Sequence, residues 1–307
     1  MGRPTRRQVV DVITTPSLWP VAYHRLVHGK GYYEARYSPP GYPEWPWSAQ
    51  RWGARDPAVC NICRWHGPAF EGPRHVEFQA CARCGSIVRD RALFHAFTSR
   101  TAPAGGLRVL ETSPRLGPEY KAAMASWFHY LPSDFDLRAH KGSVQIDLQD
   151  IRLPDASIDV ILTPHVLEHV PDTDRALREI HRVLAPGGHL YLQIPLLQGT
   201  TAPPTTPEFH GDDTPVFWRF GFDLVDRLRE HGFTTTLLCA QDWYDAVARG
   251  ATEWHEGTDP TWDVASMLAA ARGRLADHTV QLTTAEAQRM GLWHGYMCLT
   301  FACDKPA

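Results

Sequence analysis

Between residues 107 and 194 five short apolar runs recur, and the polar residues that separate them limit how they can pair. The runs are Leu107-Arg108-Val109-Leu110, Trp127-Phe128-His129-Tyr130-Leu131, Ser143-Val144-Gln145-Ile146, Ile158-Asp159-Val160-Ile161-Leu162 and His189-Leu190-Tyr191-Leu192-Gln193-Ile194. Each is too short for a stable helix and has the length of a strand buried on both faces. Between the last two, Asp172 or Thr173 is placed to cap a helix whose apolar face is Leu177, Ile180 and Leu184, with Pro186-Gly187-Gly188 ending it. A further helix is expected over about 221–231, stopping at Gly232, and Thr234–Cys239 and Tyr296–Ala302 read as late strands. Strands alternating with helices predict an α/β domain with a mostly parallel sheet and helices on both faces.

Carboxylates end the first three runs: Glu111, Asp134 and Asp147. In an open parallel sheet a ligand sits beyond the carboxyl ends of the strands, near the point where strand order reverses. A carboxylate after the second strand can accept two ribose hydroxyls, and one after the third can accept an exocyclic amine. No GxGxxG follows the first strand, which argues against a dinucleotide dehydrogenase.

Upstream, Cys60-Asn61-Ile62-Cys63 and Cys81-Ala82-Arg83-Cys84 are two CxxC pairs separated by 17 residues. Each pair places two thiolates on one tight turn, so the two together predict a tetrahedral zinc site made of Cys60, Cys63, Cys81 and Cys84. Four sulfur ligands leave no open position, so the zinc is expected to be structural. His66 and His75 lie in the intervening loop as possible substitutes, and four reduced cysteines packed in a core are the plainer alternative.

The boundaries expected are an aromatic, Pro-rich extension over 1–57, a zinc-binding segment over 58–90 and an α/β domain over 91–307. That domain holds a substrate-lid insertion at about 240–292. The extension carries Trp19, Tyr23, Tyr32, Tyr33, Trp45, Trp47 and Trp52, too many rings for typical disorder. A second aromatic group, Trp218, Trp243, Tyr244, Trp254, Trp262 and Trp293, follows the strands and suits a lid over an apolar or planar molecule. Residues 1–100 hold 14 Lys/Arg against 7 Asp/Glu, and the rest 17 against 27. That excess is too dispersed to single out nucleic acid, since no dense basic block is present. No apolar run suits a spanning helix or a secretory signal, so no membrane partner and a cytoplasmic location are expected.

Leu153-Pro154-Asp155-Ala156-Ser157-Ile158-Asp159-Val160-Ile161, His165-Val166-Leu167-Glu168-His169-Val170 and Leu184-Ala185-Pro186-Gly187-Gly188-His189-Leu190 together resemble the methyltransferase type 11 family of class I S-adenosylmethionine-dependent enzymes. The resemblance covers about 107–195. It implies a Rossmann-like seven-stranded sheet, S-adenosylmethionine as cofactor, and methyl transfer. Cys81–Ser86 followed by Arg89, Arg91, Ala92 and Leu93 is similar to a subgroup in which a cysteine-knuckle segment leads directly into the catalytic domain. Carried over by position, it puts Glu111, Thr112 and Ser113 in the first cofactor loop, Asp134 at the ribose, and Asp147 with Leu148 at the adenine. Pro164 and His165 then lie along the methionine portion. The family's glycine-rich first loop here reads Glu111-Thr112-Ser113-Pro114-Arg115-Leu116-Gly117, with one glycine left.

Methyl transfer needs alignment and, for some nucleophiles, removal of a proton. His165, His169 and His210 are the candidate general bases, placed after the fourth and fifth strands. The expected function is methylation of a small molecule, as in specialised metabolism. One alternative is an RNA methyltransferase in which the zinc segment and Arg83, Arg89 and Arg91 hold RNA. The other is a non-catalytic cofactor-binding or zinc-stapled interaction protein.

Overall fold

The computed structural model describes residues 18–37, 58–72, 78–101, 106–140, 142–210, 213–250, 263–274, 278–292 and 299–307. The expectations on His75, Trp45, Trp47, Trp52, Trp254, Trp262 and Trp293 lie outside these residues.

Five strands form where the apolar runs predict them: β3 (Arg108–Thr112), β4 (His129–Asp134), β5 (Val144–Gln145), β6 (Ile158–Pro164) and β7 (Leu184–Gln193). With β10 (Thr234–Ala240), β11 (His278–Leu282) and β12 (Thr300–Asp304) they make one sheet in the order β11-β10-β12-β7-β6-β3-β4-β5. Only β12 runs against its neighbours, pairing antiparallel with both β7 and β10. The result is a Rossmann-like, mostly parallel sheet. Seven of its strands follow the expected pattern, and β11 is an eighth, added parallel to β10 at the edge. β3 pairs with β4 on one side and β6 on the other, so strand order reverses at β3. That is where an open sheet forms its ligand crevice.

Helices cover both faces, as a parallel sheet requires. On one face α5 (Thr173–Val183) starts at Asp172, whose side chain accepts from Arg175 N at 2.9 Å, and buries Ala176, Leu177, Ile180 and Val183. It shares a core with α6 (Leu224–Glu230), α7 (Gln241–Arg249) and α8 (Val264–Gly273), built around Phe220, Phe222 and Trp243. On the other face α3 (Val88–Arg100) and α4 (Pro118–Trp127) bury Phe94, Phe97, Ala123 and Met124 together with Cys60, Ile62 and Phe70. The cysteine segment therefore shares the sheet's core, and α3 crosses residue 90 without a break.

One boundary differs from expectation. Helix α5 ends at Val183, and Pro186-Gly187-Gly188 lie inside β7 instead of terminating a helix. Gly187 adopts φ 72, and its N–H donates to Lys305 O at 2.9 Å while Lys305 N donates to Gly188 O. A Cβ on Gly188 would meet Ala185 O at 2.8 Å. The glycines thus form a kink by which the chain enters the strand under close backbone approach.

From the aromatic extension, residues 18–37 form α1 (Trp19–Val27) and α2 (Lys30–Arg36), which pack on α4. Tyr32 Oη and Arg36 Nε both donate to Glu119 Oε1, at 2.9 and 3.0 Å, and Tyr33 and Tyr37 are buried. Trp19 and Tyr23 stay exposed. Between β10 and β12, where a lid was expected, stand α7, α8, β11 and α9 (Thr284–Arg289).

Candidate functional site

The two cysteine pairs fold as near copies of one another. In the first, Arg64 N donates to Cys60 O at 3.0 Å and Cys60 N to Trp65 O at 2.8 Å; in the second, Gly85 N donates to Cys81 O and Cys81 N to Ser86 O, both at 2.9 Å. Arg64 and Gly85 take the same left-handed position, φ 58 and 70. The short strands β1 (Ala58–Val59) and β2 (His66–Gly67) flank the first turn. Together the turns bring the four Sγ atoms within 4.8 Å of one another, with Cys60–Cys84 at 3.7 Å and Cys63–Cys81 at 3.6 Å. Four sulfurs placed about 2.3 Å from one tetrahedral ion stand roughly 3.8 Å apart, so the geometry fits a bound ion; a disulfide needs about 2.05 Å.

A buried arginine ties this segment to the sheet domain. Arg91, fully buried on α3, donates from Nε to Met290 O at 2.6 Å, from Nη2 to Gln79 O at 2.8 Å and from Nη1 to Ser86 O. Its guanidinium lies 3.8 Å from the centre of the Phe70 ring, and Asn61 Nδ2 donates to the Arg91 carbonyl at 2.8 Å. A buried charge persists when every donor finds an acceptor. Arg91 is thus a strut, inaccessible to RNA. Arg83 is committed in part as well, donating to Cys63 O at 3.0 Å.

The residues expected at the cofactor stand at the carboxyl ends of β3 to β6. Asp134 accepts from Ser113 Oγ at 2.9 Å and from Asp136 N at 3.1 Å, and His140 Nδ1 lies 2.6 Å from its Oδ2. Ser113 holds φ 48, the left-handed region that glycine occupies without strain. Thr112 Oγ1 donates to Thr163 Oγ1 at 2.8 Å and so joins β3 to β6. Asp147 Oδ1 accepts from Gln149 N at 2.8 Å, closing its own turn, and Leu148 is buried in the core.

Glu111 is held away from its ordinary ionisation. Tyr130 and Tyr120 donate to its Oε2 at 2.5 and 3.2 Å, yet burial pushes its carboxyl up to about 7. Beneath it, Lys121, with Nζ 3.3 Å from Ser143 Oγ, is brought down to about 8 by burial, with Glu111 and Asp134 opposing the shift. Glu111 and Pro164 line a cleft together with Leu116, Tyr120 and Leu162. The facing wall comes from the cysteine segment and α3: Ile62, Asp90, Leu93 and Phe94. Arg115 completes the lining, its Nη1 2.8 Å from Asp90 Oδ2.

The three histidines gather at the same end of the sheet. His165 has φ 50, donates its backbone N–H to Gln193 O, and has a buried side chain; burial first, then the positive fields of Arg89, His210 and His169, depress its imidazole far below the usual range. Its Nδ1 and His169 Nε2 each lie 3.8 Å from Glu168 Oε1. His169 meets His210 edge-to-face at 4.6 Å. His210 follows β8 (Glu208–Phe209), which pairs with β9 (Pro215–Val216), and the hairpin leaves Phe209 and Phe217 exposed beside the histidines.

Sequence reasoning missed Asp90, Arg115, Ile62 and the two tyrosines as members of the site. Arg115 alone carried a signal, a charge inside a loop where glycine was expected.

Residues 128–192, spanning β4 to β7, match a family described as a methyltransferase domain. A Mycobacterium tuberculosis protein described as a probable S-adenosylmethionine-dependent methyltransferase is 38% identical over 158 residues, 49% of this chain and 54% of that protein. The arsenite methyltransferase of Aquipseudomonas alcaligenes is 34% identical over 100 residues, 30% of this chain and 27% of that protein. The chain thus spans about half the length of one of these curated relatives and about a quarter of the other. The structure of Haemonchus contortus phosphoethanolamine N-methyltransferase 2 in complex with S-adenosyl-L-methionine superposes with a TM-score of 0.42 at 14% identity, over 75% of this chain and 54% of that one.

Proposed function

We propose that this protein is an S-adenosylmethionine-dependent methyltransferase acting on a small molecule, with a structural zinc ion held by Cys60, Cys63, Cys81 and Cys84. The observation that carries the reading is the row of polar groups at the strand-order reversal, which falls at β3, just upstream of the matched residues 128–192. There Ser113, just after β3, donates to Asp134 at the end of β4, and Asp147 follows β5, the next strand of the sheet. Asp134 takes the ribose hydroxyls, displacing His140 or Ser113 from one oxygen. Asp147 and the backbone of Leu148 meet the adenine, and Glu111, Thr112, Ser113, Pro164 and His165 surround the amino-acid end. The cofactor supplies a methyl group on a sulfonium, so the chain's task is alignment. His169 and His210, beside the exposed Phe209 and Phe217, form the acceptor face, and an apolar or planar acceptor suits those rings. His165 is neutral at physiological pH and suits hydrogen bonding to the acceptor; His169 and His210 are the better-placed proton acceptors.

A small-molecule acceptor, as in specialised metabolism, is favoured over RNA because Arg91 is buried and its donors are matched. The zinc segment is also a wall of the cleft, so it has a role without RNA. The curated arsenite methyltransferase among the relatives is consistent with a small acceptor. The segment 240–292 remains the proposed lid and 91–307 the proposed catalytic domain, with no membrane association. Among the described residues no helix is long and apolar enough to cross a membrane.

Calorimetry with S-adenosylhomocysteine tests the reading. Wild type is expected to bind, and Asp134→Ala to bind roughly ten- to a hundredfold more weakly, as expected for one charge-assisted acceptor. A folded wild type that binds no S-adenosylhomocysteine defeats the proposal.

A further inference from the structure

The loop after β3 offers the cofactor little free backbone. It holds one glycine, Pro114 stiffens it, and Ser113 already occupies a strained conformation. What it presents to the cleft is a side chain, Arg115. In a lining that is otherwise largely apolar, three charged groups meet: Arg115, Asp90 and Glu111. Arg115 is pinned at one nitrogen, Nη1, which donates to Asp90 Oδ2 at 2.8 Å and to Gly85 O at 3.4 Å. Asp90 is itself fixed, the same oxygen accepting from Ile87 N at 2.8 Å at the start of α3. Among the described residues Nε and Nη2 of Arg115 make no hydrogen bond, and a guanidinium fork held by one corner suits a planar carboxylate. Glu111 receives both tyrosine hydroxyls on Oε2, so Oε1 remains for a cation.

One guanidinium and one carboxylate with a free oxygen, Arg115 and Glu111, facing a single largely apolar cleft complement an α-amino acid zwitterion, while Asp90 is taken up by Arg115 and Ile87 N. We propose that Arg115 binds the α-carboxylate at the methionyl end of the cofactor, with Asp90 as its positioning residue and Glu111 meeting the α-ammonium. A side chain then does what glycine backbone does in a glycine-rich loop. Because Arg115 is gripped through Gly85 and Asp90, the cysteine segment sets where the amino-acid end lies. This inference rests on the cofactor reading above.

The test compares three ligands on the full chain by calorimetry: S-adenosylhomocysteine, 5′-methylthioadenosine, which lacks the amino-acid end, and free methionine. In Arg115→Ala, S-adenosylhomocysteine affinity is expected to fall roughly ten- to a hundredfold while methylthioadenosine affinity holds, which also shows that the variant is folded. Arg115→Lys should recover part of the loss, and Asp90→Asn should lose less than Arg115→Ala, again only for S-adenosylhomocysteine. Equal losses for both nucleosides, or none for either, overturn the assignment. So does wild-type binding of methionine as tight as that of S-adenosylhomocysteine, since it would make the cleft an amino-acid site. Failure of wild type to bind either nucleoside defeats the cofactor reading instead, a different result.

Discussion

Around the cleft, the cysteine segment buries Ala58, Val59, Cys60, Ile62, Cys63, Phe70 and Cys81, spread over 58–72 and 78–86, while β6 buries five of its seven residues, Ile158, Val160, Ile161, Leu162 and Thr163. At roughly 25 cal/mol per Å2 of apolar surface, burial contributes more per residue along the strand than along the segment. Its position depends on four sulfurs converging and on the Arg91 strut. One wall of the cleft thus rests on burial along the strands, while the other adds a four-cysteine cluster and the Arg91 hydrogen bonds to its smaller share of the core. The second kind is conditional, because each of those additions depends on a few groups.

Metal removal is the largest way to expose that difference. Structural zinc sites in small domains contribute roughly 10–16 kcal/mol of apparent folding energy at neutral pH. Stripping the ion with a chelator is expected to abolish hydrogen-exchange protection over 58–72 and 78–87, while β3, β4 and β6 keep most of theirs. S-adenosylhomocysteine affinity should drop with it, because Ile62 and Asp90 line the cleft. Unchanged protection in a metal-free preparation would show the segment to be held by packing after all.

A second contrast lies within the strand-end wall. Glu111 sits where burial opposes its charge, and its folded-state value of about 7 exceeds its ordinary 4.5. The native state therefore keeps a proton that the unfolded state releases. Stability is fully present below about 4.5 and is lost as pH rises through about 7, by an amount of order 3 kcal/mol. Glu111→Gln should flatten that fall, so that at pH 7.5 the variant without cofactor is more stable than wild type while binding S-adenosylhomocysteine more weakly. Lys121, at about 8, is a group that Glu111 itself holds up, so the pair is compared in a Lys121→Met background, where subtracting the two profiles isolates Glu111. Identical profiles for both proteins would remove the strain assigned to Glu111.

The same two walls differ in how far the sequence discloses them. The strands were legible because burial on both faces leaves apolar runs, and Asp172 was legible because a cap is a local feature. The cysteine pairs were legible because ligand spacing is local too. Arg91 was not, since its partner Met290 lies 199 residues away and no periodicity marks a buried guanidinium. Arg115 and Asp90 were not, since their pairing depends on how α3 meets the β3 loop. Pro186-Gly187-Gly188 misled because the residues that end a helix also allow a kinked entry to a strand, and β12 decides between them. Of the positions proposed for the cofactor, Glu111 and Pro164 come together in the cleft and Ser113 meets Asp134, but the tyrosines that hold Glu111 carried no signal.

The smallest effect separates the two cysteine turns themselves. They share one hydrogen-bond pattern and one left-handed position, filled by Gly85 in the second and by Arg64 in the first. A side chain in that region costs about 1 kcal/mol, offset in part because glycine loosens the unfolded chain. Arg64→Gly is therefore expected to be more stable than Arg64→Ala, which removes the same side-chain contacts, by about 0.5 kcal/mol in the metal-loaded protein, and Gly85→Ala, which has open space for its methyl, to be less stable than wild type by about 1 kcal/mol through conformation alone. For a chain of this size that is a shift of only a few degrees in Tm, roughly 2–4 °C per kcal/mol. Chemical denaturation under metal-saturated conditions reads both. Opposite signs for the two comparisons show that the turns are equivalent in backbone and unequal only in residue; the same sign for both breaks the correspondence.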